Sequence, residues 1–416
     1  MEYKKENIKI GSLFFAIIVL LLGAACLLPY MASNYIRIIQ IGTTVILFAY
    51  MLLSLGKAMY AKEITYGLIG FYSLILLYWW VGYSDASIGN YFYQITCFIP
   101  IAATMYCARE MPRKLNVSIF IALLLMMSVH LIRDIAIWRK YGDLSFVELQ
   151  ELGSSVVSTS FSTTSLIVLN VSLFVLLNTK GLIIRLLNAC IVVLAFYFIV
   201  FCGQRGSVVI LMLFSVAFII YERFYHKSGR NNASRLIALV GGFLIIAIFG
   251  DELLTFLISL SPSERLTERF LDLQNTYDNG VSDDSFSGRL SLEIMSIQTW
   301  LSDVVSFFFG IGDHRNEMNT GLSGFVSTGI GGHSELIDSL ARYGIVGLGI
   351  IVYLYKYIWK FTLSLFEDTK QKNQVRAILI LSVLISLTKG LFFPEIGISL
   401  FLLLPLSSVL LNKTKM

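Results

Sequence analysis

The sequence predicts an all-α integral membrane protein of about twelve transmembrane helices, interrupted late in the chain by one large external loop of short helices. Three observations carry this. Of 416 residues, 56% are hydrophobic and only 14% charged, with a mean hydropathy of +0.75, more apolar surface than a soluble domain can hide. The apolar residues recur in blocks of roughly 17 to 22, the length of helix that crosses ~30 Å of hydrocarbon at ~1.5 Å per residue. One stretch, from about residue 260 to 342, breaks this rhythm.

Taken in order, the apolar blocks place spans at residues 11–30, 38–55, 65–82, 91–107, 117–137 and 161–177. The second half adds 186–201, 207–221, 236–259, 343–359, 377–387 and 396–411. Each must be helical, because backbone polar groups facing lipid find no partner except along the helix itself. The first block lacks a small-residue cleavage site and is followed at once by another span, so it is expected to be retained and not cleaved as a signal peptide. Three sections follow: spans 1 to 9 over 1–259, the large loop over 260–342, and the last three spans over 343–416.

Basic residues set the orientation, since lysine- and arginine-rich connections stay cytoplasmic. Lys4, Lys5 and Lys9 precede the first block, and alternate connections carry Lys57 and Lys62, Arg109 with Arg113 and Lys114, and Lys180 with Arg185. The alternation continues through Arg223, Lys227, Arg230 and Arg235, then Lys356, Lys360, Lys370, Lys372 and Arg376, and ends with Lys413 and Lys415. Both termini are expected in the cytoplasm. The net charge of +5 then reflects topology, and no nucleic-acid motif accompanies it.

The five cysteines, Cys26, Cys97, Cys107, Cys190 and Cys202, fall in or beside spans without metal-ligand spacing. They read as small apolar helix residues, so neither a disulfide nor a metal site is expected.

With this topology two segments face outward. Residues 138–160 are short and moderately acidic, through Asp143, Glu148 and Glu151. The segment 260–342 is far longer than a connection needs and is not of low complexity, the profile of a functional loop. Phe270, Leu273 and Tyr277, and again Leu292, Met295 and Trp300, recur at helical spacing, which predicts short helices over the membrane surface.

Three features supply chemistry. Gly203-Gln204-Arg205-Gly206-Ser207 sets Arg205 at the outer end of the seventh span between glycines that let a ligand approach backbone; such an arginine pairs with something or snorkels to headgroup phosphate. Ser287-Gly288-Arg289-Leu290 lies in the loop, followed by Trp300 and Gly310-Ile311-Gly312. Arg265 and Arg269 compete with Arg289 for the same role, and residue type does not rank the three. The third is Gly331-Gly332-His333-Ser334-Glu335-Leu336, leading through Asp338 and Arg342 to Tyr343-Gly344-Ile345-Val346-Gly347. His333 stands before a helix that enters the membrane, where neutral imidazole can take a proton; His226 and His314 have no such context. Glu335 or Asp338 could orient the imidazole, and the plainer reading of both is acidic residues favoured at a helix N-terminus.

These residues resemble the O-antigen polymerase and O-antigen ligase superfamily of bacterial membrane glycosyltransferases. The matching features are the arginine at the outer end of a middle span, the Ser-Gly-Arg with downstream Trp and Gly-x-Gly, and the histidine motif. In the family that motif is His, a small polar residue, nine variable positions, Gly, two more, then Gly; His333, Ser334, Gly344 and Gly347 satisfy it. The resemblance covers most of the chain in topology but rests on three short motifs, of which the histidine motif is the specific one.

The resemblance implies a GT-C-like enzyme of the bacterial cytoplasmic (inner) membrane, with its site on the outer face. It implies undecaprenyl-diphosphate-linked glycans as donor and acceptor, the bilayer as their common support, a chain-length regulator as a further partner, and neither metal nor cofactor. Arg205 and Arg289 would hold the donor diphosphate and His333 would activate the acceptor hydroxyl. Polymerase is favoured over ligase by the Gly-Gly-His-Ser context and the Tyr343-Gly344 ending, since ligases tend to carry Asn after the His. A polysaccharide flippase or other transporter is the reading from a different class. Such proteins place charge at mid-membrane between repeats, whereas Arg133, Asp134, Asp251, Glu252 and Lys389 are expected near the outer ends of spans.

Overall fold

A computed structural model describes residues 10–28, 33–53, 60–80, 96–141, 161–202, 206–224, 285–312, 334–387 and 393–411, with a few isolated positions between 255 and 274 and at 330. The described residues are helical, without strands. In chain order the helices are α1 (Ile10–Leu27), α2 (Ser33–Leu53), α3 (Ala61–Trp80), α4 (Pro100–Glu110), α5 (Arg113–Tyr141), α6 (Phe161–Asn178), α7 (Leu182–Tyr197) and α8 (Gly206–Phe224). A π-helical turn, Phe198–Cys202, extends α7. After these come α9 (Ser285–Trp300), α10 (Val304–Phe309), α11 (Glu335–Ser364), α12 (Thr369–Ser386) and α13 (Pro394–Ile398), the last continuing through a π-helical turn, Ser399–Leu403, into α14 (Leu404–Leu411).

Among the described residues, five stretches are long and apolar enough to cross a membrane: Ile10–Leu27, Arg113–Lys140, Leu182–Cys202, Glu335–Ser364 and Pro394–Leu411. Ile38–Leu53 and Thr163–Asn178 are shorter apolar helices. The expected span at 236–259 lies almost wholly outside the described residues.

Small residues set the closest helix contacts, as they do where no hydrophobic effect drives helices together. A methyl group on Gly67 would meet Leu354, one on Gly70 Ile350, and one on Gly347 Leu74. Residue numbers rise on α3 as they fall on α11, so the two helices are antiparallel. Tyr343 caps this contact at 1% exposure, edge-on to Phe71 and tilted against Tyr78. Helices α1 and α5 run parallel instead, with Gly23 against Leu123 and Leu27 against His130. Both relations agree with the alternation of basic connections, which sends α1, α3 and α5 outward and α11 inward.

The main departure from hydropathy is α11. It begins at Glu335, not at residue 343, because Glu335, Asp338 and Arg342 lower the hydropathy of its first turns while pairing within the fold. Gly344 breaks it, with φ +63° and ψ −167°. Two hydrogen bonds show how far the limbs are folded. Ser334 donates to the carbonyl of Ser386 at 3.3 Å, and Tyr355 bonds Ser382 at 3.0 Å. A straight helix would separate residues 334 and 355 by ~32 Å, yet 382 and 386 are ~6 Å apart. The helix therefore bends back on itself, and both limbs pack on one end of α12.

The bend is stabilised by the loop. Ile311 and Gly312 donate backbone N–H bonds to the carbonyls of Ala341 and Arg342, each at 2.9 Å, answering acceptors that the end of the first limb leaves open. The strands of backbone are in direct contact: a Cβ on Gly310 would overlap the Arg342 carbonyl, and one on Gly344 the Phe308 carbonyl. Both glycines have positive φ, so residue type and conformation are required together. The Tyr78 hydroxyl donates to the carbonyl of Phe309, tying the loop to α3.

Candidate functional site

Of the residues singled out by sequence, Arg205, Arg265, Arg269 and His333 lie outside the described residues, and Arg289 is described only as a position within α9. Glu335 and Asp338 are fully described, as are the elements on either side of Arg289 and His333. The site is therefore built from its frame.

Serine 334 is the N-cap of α11, in extended conformation, with its side chain accepting from the N–H of Ile337. Asp338 completes the cap in the reverse direction by accepting from the Ser334 N–H at 3.1 Å, the reciprocal logic of a capping box displaced by one residue. Its other oxygen accepts from the Ser296 hydroxyl at 2.8 Å. Ser296 belongs to α9 and is fully buried, as Asp338 nearly is at 2% exposure. One carboxylate thus joins α9, the helix that contains Arg289, to the residue immediately after His333. Arg289 lies seven residues before Ser296, two helical turns or ~10 Å along the axis, at nearly the same azimuth.

Glu335 and Arg342 form a buried ion pair, 3.6 Å from Oε1 to Nη1. It sits within the first limb, two turns apart, and Arg342 also attracts the carboxylate of Asp338, which Glu335 repels. The expectation that Glu335 or Asp338 orients the imidazole concerns His333, which lies outside the described residues; among those described, the Asp338 oxygens accept from the Ser334 N–H and the Ser296 hydroxyl, and Glu335 pairs with Arg342.

The remainder of the loop frame is aromatic. Trp300 donates its indole N–H to the Phe307 carbonyl at 3.0 Å and stacks on that ring at 5.1 Å between centroids. Asp303 caps α10, accepting from the N–H groups of Val305 and Ser306 at 2.8 and 2.9 Å and from the Ser306 hydroxyl. Those bonds, the Ser306 N–H first, hold its carboxyl below the usual carboxylate range. Val304, Val305, Phe308 and Phe309 remain exposed, an apolar edge suited to a membrane interface.

A second polar cluster was not singled out from sequence. His130, on α5, directs Nδ1 at the carbonyl of Leu27 at 3.1 Å and Nε2 at Oδ2 of Asp134 at 3.3 Å. A carbonyl only accepts, so Nδ1 carries a hydrogen. Nε2 and the carboxylate then face each other favourably only with a further proton between them. Glu395, near the N-terminus of α13, interacts electrostatically with Asp134, and Arg133 interacts with all three groups. His130, Asp134 and Glu395 are buried, and among the described residues neither Asp134 oxygen nor Glu395 Oε2 meets hydrogen-bond geometry. Asp134 thus faces the bundle interior at 0% exposure; its expected place near the outer end of a span said nothing of which side it faces. The available signal was a histidine and an aspartate at i and i+4 inside an apolar span, which puts both on one helix face.

Among the described residues no group of three or more His, Cys, Asp or Glu is arranged to hold a metal ion. No protein-family model matches this chain, and no curated protein matches it.

Proposed function

We propose that this chain is a lipid-linked polysaccharide polymerase, similar to the O-antigen polymerase and ligase superfamily, with a GT-C-like architecture of about twelve spans in a bacterial cytoplasmic membrane and its site on the outer face. The observation that carries the reading is the Asp338 junction, which locks the helix containing Arg289 to the residue following His333. Two motifs more than forty residues apart are thereby held in one frame, where the chain re-enters the apolar bundle.

In this reading the acceptor sugar's hydroxyl oxygen attacks the anomeric carbon of the donor glycan. The new C–O bond forms as the bond to the diphosphate oxygen breaks, which inverts the configuration. His333 takes the hydroxyl proton. Arg205 and Arg289 hold the departing diphosphate, because guanidinium forks bind phosphate oxygens bidentately and stay charged. The bilayer holds both carriers at one depth, so the encounter is already oriented.

A ligase, passing glycan to lipid A core, uses the same groups. The buried His130–Asp134 pair favours one reading of another class, a polysaccharide flippase or other transporter coupled to protons, since ionisable residues inside a bundle commonly mark proton paths. Envelope glycans from a deletion strain separate the three. The polymerase reading expects a single repeat unit on the final acceptor. Acceptor bare of glycan, with long chains still on the carrier, indicates a ligase, and lipid-linked units held on the cytoplasmic face indicate a transporter.

A further inference from the structure

The last turns of α11 lie beside the start of α3, at the end of the bundle away from Glu335, and lysines and tyrosines gather there. Lys356 and Lys360 stand one turn apart on α11, and their ammonium groups lie 5.7 and 5.2 Å from the centroid of one ring, that of Tyr357. Lys360 also reaches the ring of Tyr60, the residue before α3, at 6.0 Å. Tyr60 and Tyr353 both pack against Tyr357. Both lysines are exposed, and among the described residues neither pairs with a carboxylate. Glu63, the neighbouring acid on α3, interacts with Tyr353 instead. Like charges one turn apart on a helix repel, yet these two converge on a single ring. Ammonium groups only donate hydrogen bonds, and tyrosine hydroxyls also can, so the patch is rich in donors and poor in acceptors. Lys356 stands at its border. On its other side opens the half-open cleft of about 270 Å³ between α11 and α12, apolar there through Val352, Ile351 and Leu348.

We propose that Lys356 and Lys360, with Tyr60 and Tyr357, form a binding site for the headgroup of an anionic phospholipid whose chains enter the bilayer past Val352. The site is independent of the polymerase reading. A phosphate between the two ammonium groups offsets their repulsion and supplies the acceptor that the patch lacks. Basic residues at the membrane surface attract anionic lipid, and tyrosine rings sit at the same headgroup level. The apolar surface beside Lys356 favours a phosphate that carries hydrocarbon over a free one. Lys370 and Lys372, at the start of α12, carry the same charge at the same end of the bundle without facing a ring among the described residues. They separate a built site from diffuse surface charge.

The test uses the full-length protein in nanodiscs of phosphatidylcholine with or without phosphatidylglycerol, and reads the thermal unfolding temperature. A lipid that binds only the folded protein raises that temperature, so phosphatidylglycerol is expected to raise it for the wild type. The double variant Lys356→Gln, Lys360→Gln should lose most of the rise. The double variant Lys370→Gln, Lys372→Gln, which removes equal charge nearby, should keep it. No rise in the wild type, or equal losses in the two double variants, overturns the proposal. The same rise from inorganic phosphate in pure phosphatidylcholine discs also overturns it, by assigning the patch to a free anion. Native mass spectrometry supplies a second readout that does not depend on stability. The wild type should retain phosphatidylglycerol in preference to phosphatidylcholine, and the Lys356→Gln, Lys360→Gln protein should lose that preference; equal retention by the two proteins contradicts the site.

Discussion

Two buried polar clusters sit in the same apolar bundle and are built on opposite terms. Around Asp338 both carboxylate oxygens receive a donor, one from α9 and one from the cap of α11, and a guanidinium lies close by. Around His130 and Asp134 the carboxylate oxygens lack hydrogen-bond geometry among the described residues, and a proton must lie between ring and acid. The first cluster spends its polarity on position, holding two distant segments in register. The second leaves polarity unspent, which costs stability where water is absent.

Removing the paired carboxylate should do most damage. Asp338→Ala removes the carboxylate that accepts from the Ser296 hydroxyl and the Ser334 N–H at once, and a loss of about 3–5 kcal/mol is expected from two buried bonds to one carboxylate. It would be read as a drop in thermal unfolding temperature of the protein in nanodiscs. Next is Gly344→Ala, about 2–4 kcal/mol, combining left-handed strain with backbone overlap at Phe308; the same measurement should show it, with loss of long polymer in cells. Ser296→Ala should cost about 1–3 kcal/mol, and its effect should largely vanish in the Asp338→Ala background, since the two act through one bond.

The His130–Asp134 cluster should respond differently. Asp134→Asn replaces the acid with an isosteric amide that can itself donate a hydrogen to Nε2 of His130, so stability should change by less than about 1 kcal/mol. Polymer length should be retained; loss of export with normal abundance would instead favour the transport reading. The smallest effect belongs to Asp303→Ala. The folded-state carboxyl lies below its usual range, so its stabilisation is present above the unfolded pKa and fades as pH falls through the lower folded value. The variant should be less stable than wild type at neutral pH and equal to it in strong acid, a convergence that unfolding curves at the two pH values would show.

The contrast also explains what the sequence could reveal. Apolar block length announced the membrane class, and the basic alternation anticipated the relative directions of α1, α3, α5 and α11. The loop's helical spacing at Leu292, Met295 and Trp300 matches α9. The start of α11 was hidden, because Glu335, Asp338 and Arg342 read as loop residues until pairing removes their hydration cost. The glycines of the histidine motif were legible as a pattern but not as a reason: Gly344 forms the bend against Phe308, and Gly347 lets α3 approach. His130 was missed because Leu27, whose carbonyl it meets, and Glu395, which interacts with its neighbour Asp134, are brought together only by the packing of α1, α5 and α13.

The central claim is that the frame around Asp338 serves chemistry at His333 and Arg289. The most direct measurement is the length of envelope glycan made by His333→Ala and by Arg289→Ala, each at wild-type membrane abundance. The account predicts single repeat units and no long chains in either strain. Full-length polymer from either variant would contradict it.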